Sequence, residues 1–132
     1  MKQVVVKNDL AAAKKPEEDI LAAVRHHGYG ENSTFAIKLA LEEAVTNAFR
    51  HGNKKDPDKT ITVRYEIDAT KIIIEIEDEG PGFDPGDVPD PTLPEFIDRP
   101  HGRGIMLMRA YLDTVEYIKG GCAVRLEMFR KE

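Results

Sequence analysis

Two short stretches constrain this chain more than any others. Residues 61–67 place Ile61, Val63, Tyr65 and Ile67 on one face, and residues 72–78 place Ile72, Ile74, Ile76 and Asp78 on one face. A period of two is the mark of a strand with one buried side. The linker Asp68-Ala69-Thr70-Lys71 is short and polar, so the pair reads as an antiparallel hairpin. A sheet that is apolar on one face must bury that face under another layer.

The preceding sequence supplies the cover. Residues 3–6 read as a first strand. Residues 10–27 are rich in helix formers and stop at Gly28, with Asn8 or Asp9 as cap. Pro16 suits a first-turn position, so that helix is expected to begin near residue 15. A second helix is expected from Thr34 to His51, capped by Asn32 or Ser33 and stopped by Gly52-Asn53.

Residues 80–103 show no periodicity and hold six of the eight prolines, a pattern expected of a functional lid. Helical patterning returns at residues 104–112. Two last strands, about 114–119 and 122–129, pair across Gly120-Gly121. The expected fold is therefore α+β: a two-layer sandwich with a mostly antiparallel mixed sheet and helices on one face.

Length and charge narrow the function. The 132 residues suit one domain spanning 1–132. The net charge of −5 argues against a nucleic-acid partner and against a polybasic membrane anchor. Cys122 is the single cysteine, which suits a reducing compartment. The N-terminus lacks a signal-type apolar region, and no apolar run approaches the roughly 20 residues of a membrane span. The expectation is a cytoplasmic protein.

Three constellations carry chemistry. Glu43 and Asn47 lie four apart on the second helix, on a stripe with Ala36, Leu39 and Ala40. The Asn47 carboxamide oxygen is a hard ligand suited to Mg²⁺, and Glu43 can accept a proton from a hydroxyl or water. By itself E-x-x-x-N is common on surface helices. In Asp78-Glu79-Gly80-Pro81-Gly82-Phe83, alternation turns Asp78 to the core side of its strand. A carboxylate there needs a partner, and an adenine amino group is a suitable donor. Gly80 and Gly82 clear room for a ligand near the backbone, although a plain Gly-Pro turn has the same composition. Gly102-Arg103-Gly104 opens the last helix, where free amides, the helix dipole and Arg103 can meet phosphate, or where a hinge can sit. His51, one turn beyond Asn47, borders the same region.

Taken together, in this order on a helix end, a strand end and a helix start, the three elements resemble the N, G1 and G2 boxes of the GHKL superfamily. That superfamily has the Bergerat fold. No G-x-x-x-x-G-K-[ST] motif is present, so the chain has no P-loop. Glu43-Ala44-Val45-Thr46-Asn47-Ala48 followed by His51-Gly52 is similar to the stand-alone serine/threonine kinases that act as anti-sigma factors.

The resemblance implies ATP and Mg²⁺ as cofactors, Glu43 as catalytic base and Asn47 as metal ligand. Asp78 would meet adenine, with Gly80, Gly82, Gly102 and Gly104 shaping the pocket. The partners it implies are a sigma factor and an anti-anti-sigma protein, in a homodimer. The alternative is a nucleotide-gated binding switch without turnover. Where the family commonly has Gly-Thr before its last strand, this chain has Gly121-Cys122, which implies weaker or rearranged adenine contacts.

Overall fold

The computed structural model describes residues 1–80 and 111–130. Its elements run β1 (Lys2–Lys7), α1 (Lys14–His26), α2 (Glu31–Asn47), a π-helical turn (Ala48–Gly52), β2 (Thr60–Ile67), β3 (Lys71–Glu77), β4 (Thr114–Ile118) and β5 (Ala123–Phe129). The expected lid and the start of the expected third helix lie outside the described residues.

The five strands form one sheet in the order β1-β2-β3-β5-β4. Every strand pair among the described residues is antiparallel, so the mixed character expected from sequence is absent there. The reason is local. β2 and β3 are joined by the predicted hairpin, and β5 folds back from β4 into the place beside β3. Asp68 closes the first hairpin, its Oδ1 accepting the amides of Thr70 and Lys71 at 2.8 and 2.9 Å.

The two faces of the sheet differ as the alternation demands. Ile61, Ile72, Ile74 and Leu126 are at most 1% exposed and meet α1 and α2 in one core. Burying each such side chain contributes about 1.5–3 kcal/mol. On the outer face, Arg64 bonds Glu75 at 2.9 Å and Glu77 at 2.6 Å, and Arg125 bonds Glu75 at 2.7 Å and Glu127 at 2.6 Å. This cross-strand ladder satisfies the charges that lie on three neighbouring strands.

The helices begin and end for identifiable reasons. α1 starts at Lys14 with Pro16 in its first turn, and buries Pro16, Ile20, Leu21 and Val24 along one stripe. Asp9 does not cap it directly. Its carboxylate accepts the Ala11 amide at 2.8 Å in the turn before the helix. Asn8 is 6% exposed and serves elsewhere. At the far end Gly28 takes φ +83°, with Gly28 N–H donating to Arg25 O at 3.0 Å and Tyr29 N–H to Val24 O at 3.3 Å. This is a Schellman ending, and its hydrophobic contact is buried Tyr29 near Val24.

α2 begins three residues earlier than expected, at Glu31 after an extended Gly30, with no side-chain cap. Asn32 and Ser33 therefore lie inside the helix rather than ahead of it. Thr34 is buried and returns its hydroxyl to Gly30 O at 2.9 Å. The α-helix also ends earlier than expected, at Asn47. The residues through Gly52 continue as a wider π turn, closed by the Asn53 amide on Ala48 O at 2.8 Å.

Candidate nucleotide-binding site

The end of α2 carries the first site residues. Glu43 and Asn47 are half-buried, because the same helix turns bury Ala40, Leu41, Ala44 and Val45 against the sheet. Burial pushes the Glu43 carboxyl above its usual range, with the charge of Arg50 opposing. The π turn follows directly, and such insertions in α-helices are frequent at functional sites. His51 lies exposed on that turn.

The end of β3 carries the second group. Asp78 is half-buried, and its amide donates to Cys122 O at 2.8 Å, extending the β3–β5 ladder by one bond. Its Oδ1 accepts the Gly80 amide at 2.7 Å. Burial raises the Asp78 carboxyl above the ordinary aspartate range. The Gly80 bond opposes that shift and Glu77 adds to it.

Two glycines bring these groups together. A Cβ on Gly52 would overlap the Asp78 carboxyl, and a Cβ on Gly80 would overlap the carbonyl of Gly52. Gly80 is thus bare because another backbone packs on it, which is a different reason from the ligand clearance expected from sequence. Residue 52, five places beyond Asn47, lies against the carboxylate at the end of β3.

A buried amide network holds this contact. Asn53 is 0% exposed. Its Nδ2 donates to Asn8 Oδ1 at 3.1 Å and to Thr60 O at 2.9 Å, and its Oδ1 accepts the Glu79 amide at 2.7 Å. Asn8 in turn donates to Asp56 O at 2.9 Å. Sequence reasoning missed Asn8, Gly52 and Asn53 as site architecture. Gly52 read as a helix stop and as part of the His51-Gly52 resemblance, Asn53 only as part of the stop, and no spacing points from Asn53 to partners 45 residues before it and 26 after it.

Cys122 is half-buried just before β5 and ends a short 3₁₀ turn, Lys119–Gly121, rather than lying inside a strand as expected. The Gly120 and Gly121 backbones take φ +70° and +96°, values that favour glycine and that close this hairpin. Cys122 Sγ donates to Lys119 O at 3.1 Å. Burial first, then Asp78 and Glu77, raise its thiol above the usual range. Glu43, Asn47, His51, Asp78, Gly80 and Cys122 are therefore placed. Gly82, Gly102, Arg103 and Gly104 lie outside the described residues.

Among the described residues no group of three His, Cys, Asp or Glu side chains forms a metal cage. The donor set instead suits a cation held by one or two protein oxygens together with phosphates and water, the habit of Mg²⁺. A groove of about 250 Å³ between α1 and α2, lined by Glu17, Glu42, Val45 and Thr46 among others, contains none of the predicted site residues. No helix among the described residues is long and apolar enough to cross a membrane.

The model of the histidine kinase-like ATPase domain matches residues 6–128. The chain belongs to this family. Its α+β sandwich is the GHKL-type arrangement expected from the three boxes. Among curated relatives, the anti-sigma F factor of Clostridium botulinum (strain Eklund 17B) is 35% identical over 81 residues, covering 58% of this chain and 55% of the relative. The anti-sigma F factor of Halalkalibacterium halodurans is 33% identical over 86 residues, covering 62% and 58%. The serine-protein kinase RsbW of Listeria monocytogenes is 29% identical over 134 aligned positions, covering 89% and 83%. The matches thus span just over half the length of the anti-sigma F factors.

Proposed function

We propose that this family member is an ATP- and Mg²⁺-dependent serine/threonine protein kinase of the anti-sigma type. One observation carries the reading. The helix end with a raised carboxyl and a hard oxygen donor, Glu43 and Asn47, runs through Gly52 directly onto the half-buried carboxylate of Asp78. That approach supports reading Glu43 as base, Asn47 as metal ligand and Asp78 as adenine acceptor of one site. The relatives named as anti-sigma factors and serine-protein kinases support the same reading.

In this reading Asp78 accepts a hydrogen bond from the 6-amino group of adenine. The Asn47 side-chain oxygen would hold Mg²⁺, and the ion would supply charge neutralisation for the phosphates. Glu43 takes the proton from a serine hydroxyl of the partner as that oxygen bonds to the γ-phosphorus and ADP leaves. A carboxyl raised toward neutrality is better matched to that role than an ordinary glutamate. The partner classes are a sigma factor and an anti-anti-sigma protein, and the working compartment is the cytoplasm.

The test is transfer of labelled γ-phosphate from ATP to candidate anti-anti-sigma proteins encoded near this chain, with Glu43→Gln as control. The expected result is serine labelling that falls at least about 100-fold in the variant, the scale of a general base. Tight ATP binding with no labelled partner, or regulation in cells that survives Glu43→Gln, would instead make the chain a nucleotide-gated binder.

A further inference from the structure

Asn53 has no place in the chemistry proposed above, yet its side chain is tied to several segments of the site. It is fully buried, and its side chain makes three hydrogen bonds to three different segments. Its main chain makes two more, donating to Ala48 O at 2.8 Å and accepting from the Asp56 amide at 3.0 Å. A buried carboxamide satisfied this fully fixes the segments around it, because moving any of them strands a polar group away from water.

The segments are specific ones. Ala48 begins the π turn that follows Asn47. Thr60 begins β2, and Asn8 follows β1. Glu79 stands between Asp78 and Gly80, so the bond from Glu79 N–H to Asn53 Oδ1 at 2.7 Å fixes the peptide next to the carboxylate. Glu79 returns a second tie, its Oε2 accepting the Thr60 amide at 2.9 Å. The bare backbones of Gly52 and Gly80 let the two segments close to contact, and Asn53 bolts them there.

We infer that Asn53 is a positioning residue for nucleotide selection: through the Glu79 amide it aims the Asp78 carboxylate at the 6-substituent of the purine. The inference rests on the proposed role of Asp78 and adds to it a residue that touches no ligand. Asn8 supports it by holding the Asn53 amino group, and it contributes to stability more than to selection.

The experiment compares dissociation constants for ATP and for ITP, whose purine has a carbonyl oxygen where adenine has the amino group. A carboxylate acceptor favours ATP, and the wild-type chain is expected to prefer it by about 10-fold or more, the scale of one charge-assisted hydrogen bond. In Asn53→Ala the preference falls to within about threefold of unity. Asn53→Asp keeps an oxygen for the Glu79 amide and keeps the preference, although it loses stability. Arg130→Ala, a destabilising change at the opposite end of the sheet, also keeps the preference, which a general loosening of the fold would not.

An Asn53→Ala protein that retains the wild-type ratio overturns the inference and leaves the proposed function standing. So does loss of the ratio in Asn53→Asp or Arg130→Ala. A wild-type chain that binds neither nucleotide overturns both. Hydrogen exchange of the wild-type Glu79 amide needs no variant. Slow exchange without nucleotide is expected, and exchange as fast as an open loop overturns the inference.

Discussion

A single methyl group at position 52 tests the contact between the end of α2 and the end of β3. Gly52 is not among the glycines with positive φ and lies in a helical turn, so alanine there is otherwise favourable by about 0.5–1 kcal/mol. The added Cβ, however, overlaps Cγ and both oxygens of Asp78. Overpacking of that kind costs about 1–3 kcal/mol. If Asp78 turns aside, its bond to the Gly80 amide is also lost, at about 1 kcal/mol for this half-exposed group. Gly52→Ala is therefore expected to destabilise by about 2–3 kcal/mol.

The same substitution in an Asp78→Ala background meets none of those three atoms. There it is expected to be neutral or to stabilise by up to about 1 kcal/mol. The interaction between the two sites is then about 2–4 kcal/mol, well outside the additivity of independent positions. Urea denaturation followed by far-ultraviolet circular dichroism gives all four stabilities, with midpoints shifting at constant slope. Equal costs of Gly52→Ala in both backgrounds, within about 0.5 kcal/mol, would refute the contact and the site built on it.

Four further changes have distinct signatures. Gly80→Ala meets the backbone carbonyl of Gly52 and, less closely, Asp78 Oδ1, so it should cost about 1–3 kcal/mol and Asp78→Ala should leave most of that cost in place, as urea midpoints will show. Arg130 donates to His27 O, Ala69 O and Gly28 O at 2.8–3.0 Å and stands over the Tyr29 ring, so Arg130→Ala should lose about 1–2 kcal/mol by the same assay while nucleotide affinity stays within twofold. Burial raises the Glu75 carboxyl, but hydrogen bonds from Arg64 and Arg125 outweigh it and set the group below its usual range. That stabilisation is complete above the unfolded pKa near 4.5 and is lost as pH falls through the lower folded value, so melts of wild type and Glu75→Gln should converge once pH has fallen below that folded value. The raised thiol of Cys122 should react with iodoacetamide at pH 8 several-fold more slowly than free cysteine, as intact-mass measurement will report.

The fold was legible wherever a pattern repeated. The alternation through Tyr65 and Ile74 located β2 and β3, and the structure pairs those two residues, a register from which a one-residue slip would turn Ile72, Ile74 and Ile76 away from the core. The order of the three chemical constellations singled out Glu43, Asn47 and Asp78 as candidates. Helix ends were less legible. Asn32 and Ser33 are good caps by type, but Gly30 after the Schellman turn already sets the chain in the extended geometry from which α2 starts. The early end of α2 at Asn47 had no signal either, since the π turn depends on Asn53 being captured by Asn8, Thr60 and Glu79.

The most hidden part of the site is the reason it holds together. Asp78 was singled out because a carboxylate on an apolar face is costly, and that argument needs only its own strand. The position of that carboxylate relative to Glu43 is a different matter, since β3 and α2 are joined through a loop and a strand that could pack in many ways. Gly52 and Gly80 remove the side chains that would keep the segments apart, and Asn53 removes the freedom that remains. None of the three announced that contact in the sequence, because glycine and asparagine are also what turns require. Their second use is non-local: a close approach and a buried amide gain meaning only from the partner across the contact. Substitutions at these three positions should therefore impair the proposed site while leaving Glu43, Asn47 and Asp78 unaltered, and that separation distinguishes a built site from three motifs that merely share a chain.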